Sequence, residues 1–491
     1  MTETVDRTTT ADPRASERLS PRDVTVIGVL LVSAFVVVLN ETIMSVAIPV
    51  LIDDLRITAS TAQWLSTGFI LTMAVVIPVS GFLIQRLTTR SLFAAAMGLF
   101  SAGTLIAALA PTFGVLLAAR VVQGVGAAVL IPLLMTTVMT IVPASRRGTM
   151  MGNISIVISV APAVGPTVSG LILSALPWPF IFWCVLPIAV AALVIGLRLM
   201  TNVGETTGVP IDWISIPLSA LGFGGLVYGL NAVGEGVTEG AVSPVAVGVP
   251  VAVGAIGLTL FLLRQRVLQR EDRALLDLRP FTSRVFSASV IAGSLAFLGL
   301  LGSAFLLPIY LQQVLGLEPL QTGLLVLPGG LLMGLLGPIV GRLYDRFGPK
   351  PLLLPGLAVA LVALLLLATV DENTEAWTVL LRHVLLSLGL ATVLPSVFTA
   401  GLSAVPPKQT SYGSAIFATS QQVGGAAGTA LVITLLAVGS AAYTGDGGAG
   451  AAEAAGTRLA FLVSAGVFVL ALGVATMVKK VGDGPAHPVG H

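Results

Sequence analysis

Two residues carry the strongest chemical signal in this chain. Glu41 sits inside VVVLNETIMSVAIPV, residues 36–50, with apolar neighbours on both sides. A carboxylate in a membrane span is costly, so it is first of all a functional hypothesis. Desolvation favours its neutral form and a nearby cation its charged form, so an acid held between the two can bind and release a proton as access changes. Arg120, between FGVLLAA and VVQGVG, is the natural cation. Its guanidinium stays protonated, so it must be paired or bonded to carbonyls. Counted from the expected helix ends, the two depths agree within roughly 5 Å. Two readings stay open for each residue. Glu41 is a proton carrier, or a structural acid bonded to backbone or to Asn40 and Thr42. Arg120 biases Glu41, or ties helices together through carbonyls, with Gln123 and Gly124 for polar company and close approach.

The rest of the chain says what must position them. Of 491 residues, 55% are hydrophobic and 10% charged. Soluble domains carry about 25% charged residues, so the solvent here is lipid. A net charge of +2 gives no case for nucleic acid. The single cysteine, Cys184, rules out an internal disulfide framework or a Cys-based metal site. No phosphate loop, HExxH or dinucleotide fingerprint is present. An enzyme and an ATP-driven pump are therefore not expected. No cofactor is expected either, and the energy must come from a gradient or a partner. The transmembrane potential supplies about 2.3 kcal/mol per charge per 100 mV.

A membrane helix needs roughly 20 apolar residues. Fourteen segments qualify, at about 23–51, 60–85, 91–110, 113–142, 149–175, 178–200, 211–232, 242–264, 285–313, 319–343, 350–370, 376–404, 412–440 and 458–478. With alternating spans, Lys and Arg gather on one face, at Arg86, Arg90, Arg146, Arg147, Arg198, the arginines from Arg264 to Arg284, Arg342, Arg346, Lys350, Lys408, Lys479 and Lys480. The other face holds Asp53, Asp54, Glu235, Glu239, Glu318, Asp371, Glu372 and Glu375, with Arg56 and Arg458 the exceptions. The positive-inside rule makes the basic face cytoplasmic, with both termini there. GFLIQR (81–86) ends the second span and GRLYDR (341–346) the tenth; Arg120 in the fourth has Arg382 in the twelfth. Spans one to six and nine to fourteen therefore read as parallel repeats flanking an inserted pair, which puts a substrate site between the bundles. The expected organisation is a tail (1–22), a first bundle (23–200), an inserted pair (201–264), a linker (265–284), a second bundle (285–478) and a tail (479–491). The linker region reads either as an amphipathic surface helix or as a solvated connection.

Lesser candidates follow. Asn40, Gln63, Trp64, Tyr310, Gln312, Gln313 and Arg382 are polar or aromatic groups that could line a cavity, although Trp64 also suits an interfacial anchor. Arg382 and His383 read equally as a packed arginine and a core histidine. In VAPAVGPTVSG (160–170), Pro162 and Pro166 kink a helix, and Gly165 and Gly170 permit close helix approach.

These motifs together resemble the fourteen-span drug:proton antiporters of the major facilitator superfamily over roughly residues 25–478. LNETIMSVAIP is similar to that family's first-span signature. RVVQGVGAA is similar to its fourth-span motif, whose Arg is implicated in proton transfer and maps to Arg120. APAVGPTVSG resembles the antiporter motif, mapping to Pro162, Gly165, Pro166 and Gly170. WPFIFWCVLP resembles the sixth-span pattern. GRLYDRFGPK resembles the gating-loop motif, mapping to Gly341, Asp345, Arg346 and Gly348. Two departures stand out. GFLIQRLTTR has Gln85 at the motif's acid and Thr88 at its Gly, a form similar to a branch related to lincomycin-resistance pumps. Asn40 stands at the common first-span Asp, with the acid moved to Glu41, about 100° around the helix.

The resemblance implies an all-α polytopic membrane protein with the major facilitator fold, two six-helix bundles plus two inserted helices, fourteen spans in all. It implies a plasma-membrane, proton-coupled antiporter exporting hydrophobic or cationic amphiphiles by alternating access. Its partners would be the lipid bilayer, protons and the amphiphilic substrate, and it would act as a monomer without nucleic acid. An exporter of one endogenous metabolite, lipid or natural product, and a non-transporting membrane scaffold or sensor, are the competing expectations.

Overall fold

The structure is a computed structural model and describes residues 19–204, 206, 208, 210–238, 244–445 and 448–480. Most of the N-terminal tail, and the C-terminal tail with His487 and His491, lie outside the described residues.

Every regular element among them is helical. The first six helices are α1 (Pro21–Leu55), α2 (Ala59–Arg86), α3 (Thr89–Ala108), α4 (Phe113–Ile141), α5 (Arg147–Ala175) and α6 (Pro179–Leu199). The inserted region holds α7 (Ser215–Ser219), a π-helical turn (Ala220–Gly224), α8 (Gly225–Thr238) and α9 (Pro244–Leu268). The last six are α10 (Arg284–Ile309), α11 (Pro319–Phe347), α12 (Lys350–Leu367), α13 (Ala376–Ser403), α14 (Thr410–Ala441) and α15 (Gly448–Ala475). Thirteen of the helices are long and apolar enough to cross a membrane. The expected seventh span corresponds to α7, the π turn and α8. These run on without a break from Ser215 to Thr238 but are not among the thirteen.

The helix starts are written in the sequence. Ser20 caps α1 with a reciprocal Ser20–Asp23 box, and Thr58, Thr88 and Ser283 accept from N–H groups of the first turns of α2, α3 and α10. Each cap satisfies a donor that the helix itself leaves open. In the first bundle α1 packs on α5, α2 on α4, α3 on α4 and α6. In the second α10 packs on α14, α11 on α13, α12 on α13 and α15. The two sets are copies of one arrangement, as the repeated motifs imply.

Two seams join the bundles, α5 against α11 and α2 against α14. Near the basic face both are backbone-tight. A Cβ on Gly152 would meet the Gly337 carbonyl oxygen at 2.1 Å, and one on Gly341 the Gly148 carbonyl at 2.2 Å. A Cβ on Gly81 would meet the Ser411 carbonyl at 3.1 Å. On the α5–α11 seam only glycine lets the helices touch, and the α2–α14 approach at Gly81 is close but less tight.

The linker is neither of the two forms expected of it. After a short 3₁₀ turn (Gln269–Glu271) it folds back under the bundles with Leu275 and Leu276 buried. The fully buried Gln265 explains this: its Oε1 accepts from the Leu275 and Leu276 N–H groups at 2.7 and 3.1 Å, and its Nε2 donates to Ser215 Oγ. Beyond the turn, Arg279 bridges Asp272 and the buried Asp277, and Tyr412 on α14 donates to the Ala274 carbonyl. Asp212, just before α7, takes a two-point hydrogen bond from Arg264 at 2.6 and 2.7 Å. The sequence shows the charges here but not the buried glutamine that orders the chain around them.

The Arg264 hydrogen bonds, led by the guanidinium, pull Asp212 down from its ordinary 3.8 to about 2. A depressed carboxylate stabilises fully above its ordinary value and loses that contribution as pH falls through the folded one. Asp212→Asn is expected to cost about 1.5–3 kcal/mol, the worth of a charge-assisted hydrogen bond, read as a lower melting temperature in detergent. Its deficit against wild type should shrink below pH 3.8 and vanish near 2.

Candidate functional site

Arg120 is the largest fully buried side chain among the described residues, 1% exposed, on the second turn of α4. Its Nη1 donates to Asn40 Oδ1 at 2.9 Å and to Gln123 Oε1 at 3.0 Å, and its Nε to the Leu65 carbonyl at 3.1 Å. Gln123 in turn donates to Thr104 on α3. The Phe69 ring lies 4.2 Å from the guanidinium carbon, close enough for cation–π attraction. One arginine thus draws together α1, α2 and α4, with α3 behind them. Its Nη2 has no hydrogen-bond partner among the described residues.

Glu41 differs from the expectation. No ion pair and no side-chain hydrogen bond joins it to Arg120 among the described residues; Asn40 is the direct partner. The cause is helical geometry: one residue along α1 turns a side chain by about 100°, so the Asn faces the guanidinium and the acid looks past it. Glu41 is half-buried and near enough to feel the charge of Arg120 through space. A bare carboxylate, attracted by a cation that other groups already hold, can change protonation without dismantling the buried network.

The antiporter-motif positions fall beside it. A Cβ on Gly165 would meet Thr42 Oγ1 at 2.1 Å, so α5 closes directly on the turn of α1 that carries Glu41. Pro162 is half-buried and Pro166 exposed along the same helix. Gly170 has no atom within 4 Å of where a Cβ would stand.

The gating-loop positions meet the start of α5. Asp345 accepts from the Gly148 and Thr149 N–H groups at 2.7 and 2.9 Å and from the Thr149 hydroxyl at 2.7 Å. A carboxylate there satisfies open donors and complements the helix dipole. Gly341 sits on Gly148, and Gly348, at φ +80°, closes the C-terminus of α11. Arg346 is exposed, its guanidinium over the Phe347 ring. The pseudo-symmetric contact uses Gln85, whose Nε2 donates to the Lys408 carbonyl at 2.8 Å and to Ser411 Oγ at 2.9 Å beside the start of α14. The latch survives the loss of the acid, but as a neutral donor to oxygen atoms.

The cavity candidates do not converge. Tyr310 is fully buried, and its hydroxyl donates to the Asp371 carbonyl at 2.6 Å, which makes it a structural tie. Arg382 donates to the Leu366 carbonyl at 2.7 Å and pins α13 to α12. Gln312 and Gln313 are exposed in a π-helical turn, and Gln63 is half-buried. Trp64 stacks on Tyr228 of α8 at 5.7 Å. These residues share a side of the membrane, and that is all the sequence could tell about them. It missed Leu65, Phe69 and Thr149, whose contribution is a backbone group, a ring face or a helix start. One signal was available for Thr149: VPASRRGT before α5 and VPPKQTS before α14 mark two equivalent helix starts.

Comparison with known proteins agrees with this architecture. Residues 30–429 match the Major Facilitator Superfamily. The lincomycin resistance protein LmrB of Listeria monocytogenes is 42% identical over 422 residues, 86% of this chain and 88% of that protein. The uncharacterized MFS-type transporter YcnB of Bacillus subtilis is 39% identical over 456 residues, 93% of this chain and 95% of that one. The multidrug resistance protein B homolog of Mycobacterium tuberculosis is 29% identical over 431 residues, 86% and 79% of the two chains. In fold, the human organic anion transporter MFSD10 (TETRAN) superimposes with a TM-score of 0.65 at 15% identity, covering 93% of this chain and 100% of that one. The proton:xylose symporter XylE does so with 0.64 at 14% identity, covering 93% and 95%. With two matched bundles, a buried arginine in the first, an inserted helix pair and these relatives, the chain belongs to the Major Facilitator Superfamily of membrane transporters.

Proposed function

We propose that this transporter is a proton-coupled antiporter that exports hydrophobic or cationic amphiphiles, with Glu41 as the proton carrier. One observation carries the reading: among the described residues Glu41 is a mid-helix carboxylate with no hydrogen-bond or ion-pair partner, beside a buried arginine whose hydrogen bonds go to Asn40, Gln123 and Leu65. The relatives named for lincomycin and multidrug resistance support the substrate class. The charge asymmetry supports a plasma-membrane orientation with both termini and the basic face in the cytoplasm.

In this scheme an outside proton neutralises Glu41. The acid then no longer draws on Arg120, and the α1–α5 contact at Thr42 and Gly165 is free to shift. The bundles rock about the α5–α11 and α2–α14 seams, the basic-face latches part, and substrate is taken up. Loss of the proton inward resets the site, and the membrane potential adds to the drive when the exported substrate is neutral. The cycle uses a proton gradient and no cofactor, and one chain holds every group it needs.

Proton-driven efflux in inverted vesicles tests the assignment. Glu41→Gln is expected to lower the gradient-dependent rate roughly 5- to 150-fold, the span of a 1–3 kcal/mol coupling, while substrate binding persists. Wild-type coupling in that variant would remove Glu41 from the mechanism. Asn40→Ala leaves a buried guanidinium short of a partner, and a loss of about 1–3 kcal/mol is expected, seen as a lower melting temperature. Asp345→Asn should weaken the latch by up to about 2 kcal/mol. Spin labels at Ala144 and Arg342, both exposed at the basic face, should then report a larger share of the long-distance population.

A further inference from the structure

Gly329 and Gly330 of α11 are clamped from two sides. A Cβ on Gly329 would meet His383 Nε2 and Ser387 Oγ of α13 at 2.5 Å each. A Cβ on Gly330 would meet that of Ala163 on α5 at 2.6 Å. Nearer the acidic face, a Cβ on Gly323 of α11 or on Gly170 of α5 would meet nothing within 4 Å. Both α11 and α13 run from the acidic face toward the basic one, so His383, a turn before Ser387, lies on the open side of this clamp.

Arg382 turns to the Leu366 carbonyl of α12. One residue on, about 100° round the helix, His383 turns to α11, where its ring N–H donates to the Val326 carbonyl. Its Nδ1 is buried and has no hydrogen-bond partner among the described residues, so that nitrogen is a bare acceptor. Trp377, Leu381 and Leu388, 58, 55 and 40% exposed, mark the lipid side of α13. His383 is half-buried and about 200° round from Leu381, so its open edge faces inward. Thr322, one turn before Val326 on the same face of α11, has a second buried polar atom without a partner, its hydroxyl.

Arg382 is the only other charged side chain on α13. The helices packed on α13 are α5, α10, α11, α12 and α14. Their charged residues all lie at the basic-face ends, at Arg147, Arg284, Arg342, Asp345, Arg346 and Lys350, as do Tyr344 and Tyr412. Glu318 and Glu375 stand at the starts of α11 and α13, two turns or more from the ring, and the Tyr310 hydroxyl is held by the Asp371 carbonyl.

We propose that His383 is a second proton-binding site, in the second bundle, filled at Nδ1 from the acidic face, and that the charged ring loosens the clamp on Gly329 and Gly330. The step moves one proton from a hydronium ion to the Nδ1 lone pair and leaves water. The imidazolium then has no carboxylate to pair with and a guanidinium as its neighbour in sequence. A buried charge without a partner is costly, and water entering as α11 draws away lowers that cost. Proton binding and helix parting are therefore linked, at a point where α11 bears on both α13 and α5. The proposal rests on the antiport reading only for what the proton drives, and it uses none of the groups around Glu41.

Two measurements on the full chain in lipid bilayers test this. The protein has three histidines, so His487→Gln with His491→Gln leaves His383 as the one ring seen by ¹⁵N-histidine NMR. The ring is expected to pass from neutral to protonated between pH 8 and about 5, the range in which histidine switches. Spin labels at Leu171→Cys and Leu324→Cys, in a Cys184→Ser background, report the acidic half of the α5–α11 seam; the two leucines are 74 and 57% exposed. Acidification over the same range is expected to raise the ratio of long to short distances at least about fivefold. His383→Gln keeps a donor for the Val326 carbonyl but cannot titrate, and its ratio should not respond. A merely structural histidine would lower the melting temperature of that variant and leave the response intact. A ring that stays neutral throughout, or an equal response in His383→Gln, would overturn the proposal. Its failure with proton-driven efflux intact leaves the antiport reading standing; a His383-dependent response without such efflux keeps the site and removes that reading.

Discussion

A guanidinium that cannot lose its proton, buried among apolar helices, is the constraint on which the rest of the structure depends. Arg120 must be satisfied wherever it goes, so α1 supplies Asn40, α2 supplies a backbone carbonyl and the Phe69 ring, and α4 supplies Gln123. An unpaired charge in this setting would cost several kcal/mol. The network therefore fixes how three helices of the first bundle pack, and it leaves a fixed positive potential inside the membrane. Glu41 lies within that potential without belonging to the network. A transported proton needs this separation: the framework stays charged and bonded while the acid beside it titrates.

Motion requires surfaces that close tightly yet part at modest cost, and the seams have that character. Their basic-face halves are held by glycine-to-backbone contacts and by two latches at helix starts, Asp345 on α5 and Gln85 on α14. The latches are not energetically equal. A carboxylate gains from the helix dipole as well as from its hydrogen bonds, and a neutral amide has only the bonds. The folded linker and the inserted pair add bulk on the α2–α14 side, so the side with the weaker latch is also the one with the extra brace.

Much of this was legible in the sequence, for identifiable reasons. Span positions follow from the length of apolar runs, and the repeat from GFLIQR and GRLYDR, because a bilayer leaves few alternatives. Arg120 stood out because a charge in such a run is rare. What could not be read was direction around a helix. The step from Asn40 to Glu41 decides which residue meets the guanidinium, and only packing sets that rotation. The same holds for the cavity set: Tyr310 and Arg382 are polar residues at the expected depth, and their side chains turn to the Asp371 and Leu366 carbonyls. The linker failed differently, since its order comes from Gln265 reaching two backbone amides ten and eleven residues ahead, a pairing with no sequence signature.

The claim that Glu41 is the exchangeable proton site is tested most directly by infrared difference spectroscopy of the purified protein across a pH titration. The expected result is a protonated-carboxyl carbonyl band that grows as pH falls in wild type, moves in Glu41→Asp and is missing in Glu41→Gln. A titrating band that survives Glu41→Gln, or a wild-type protein with no such band at any pH, would contradict the account.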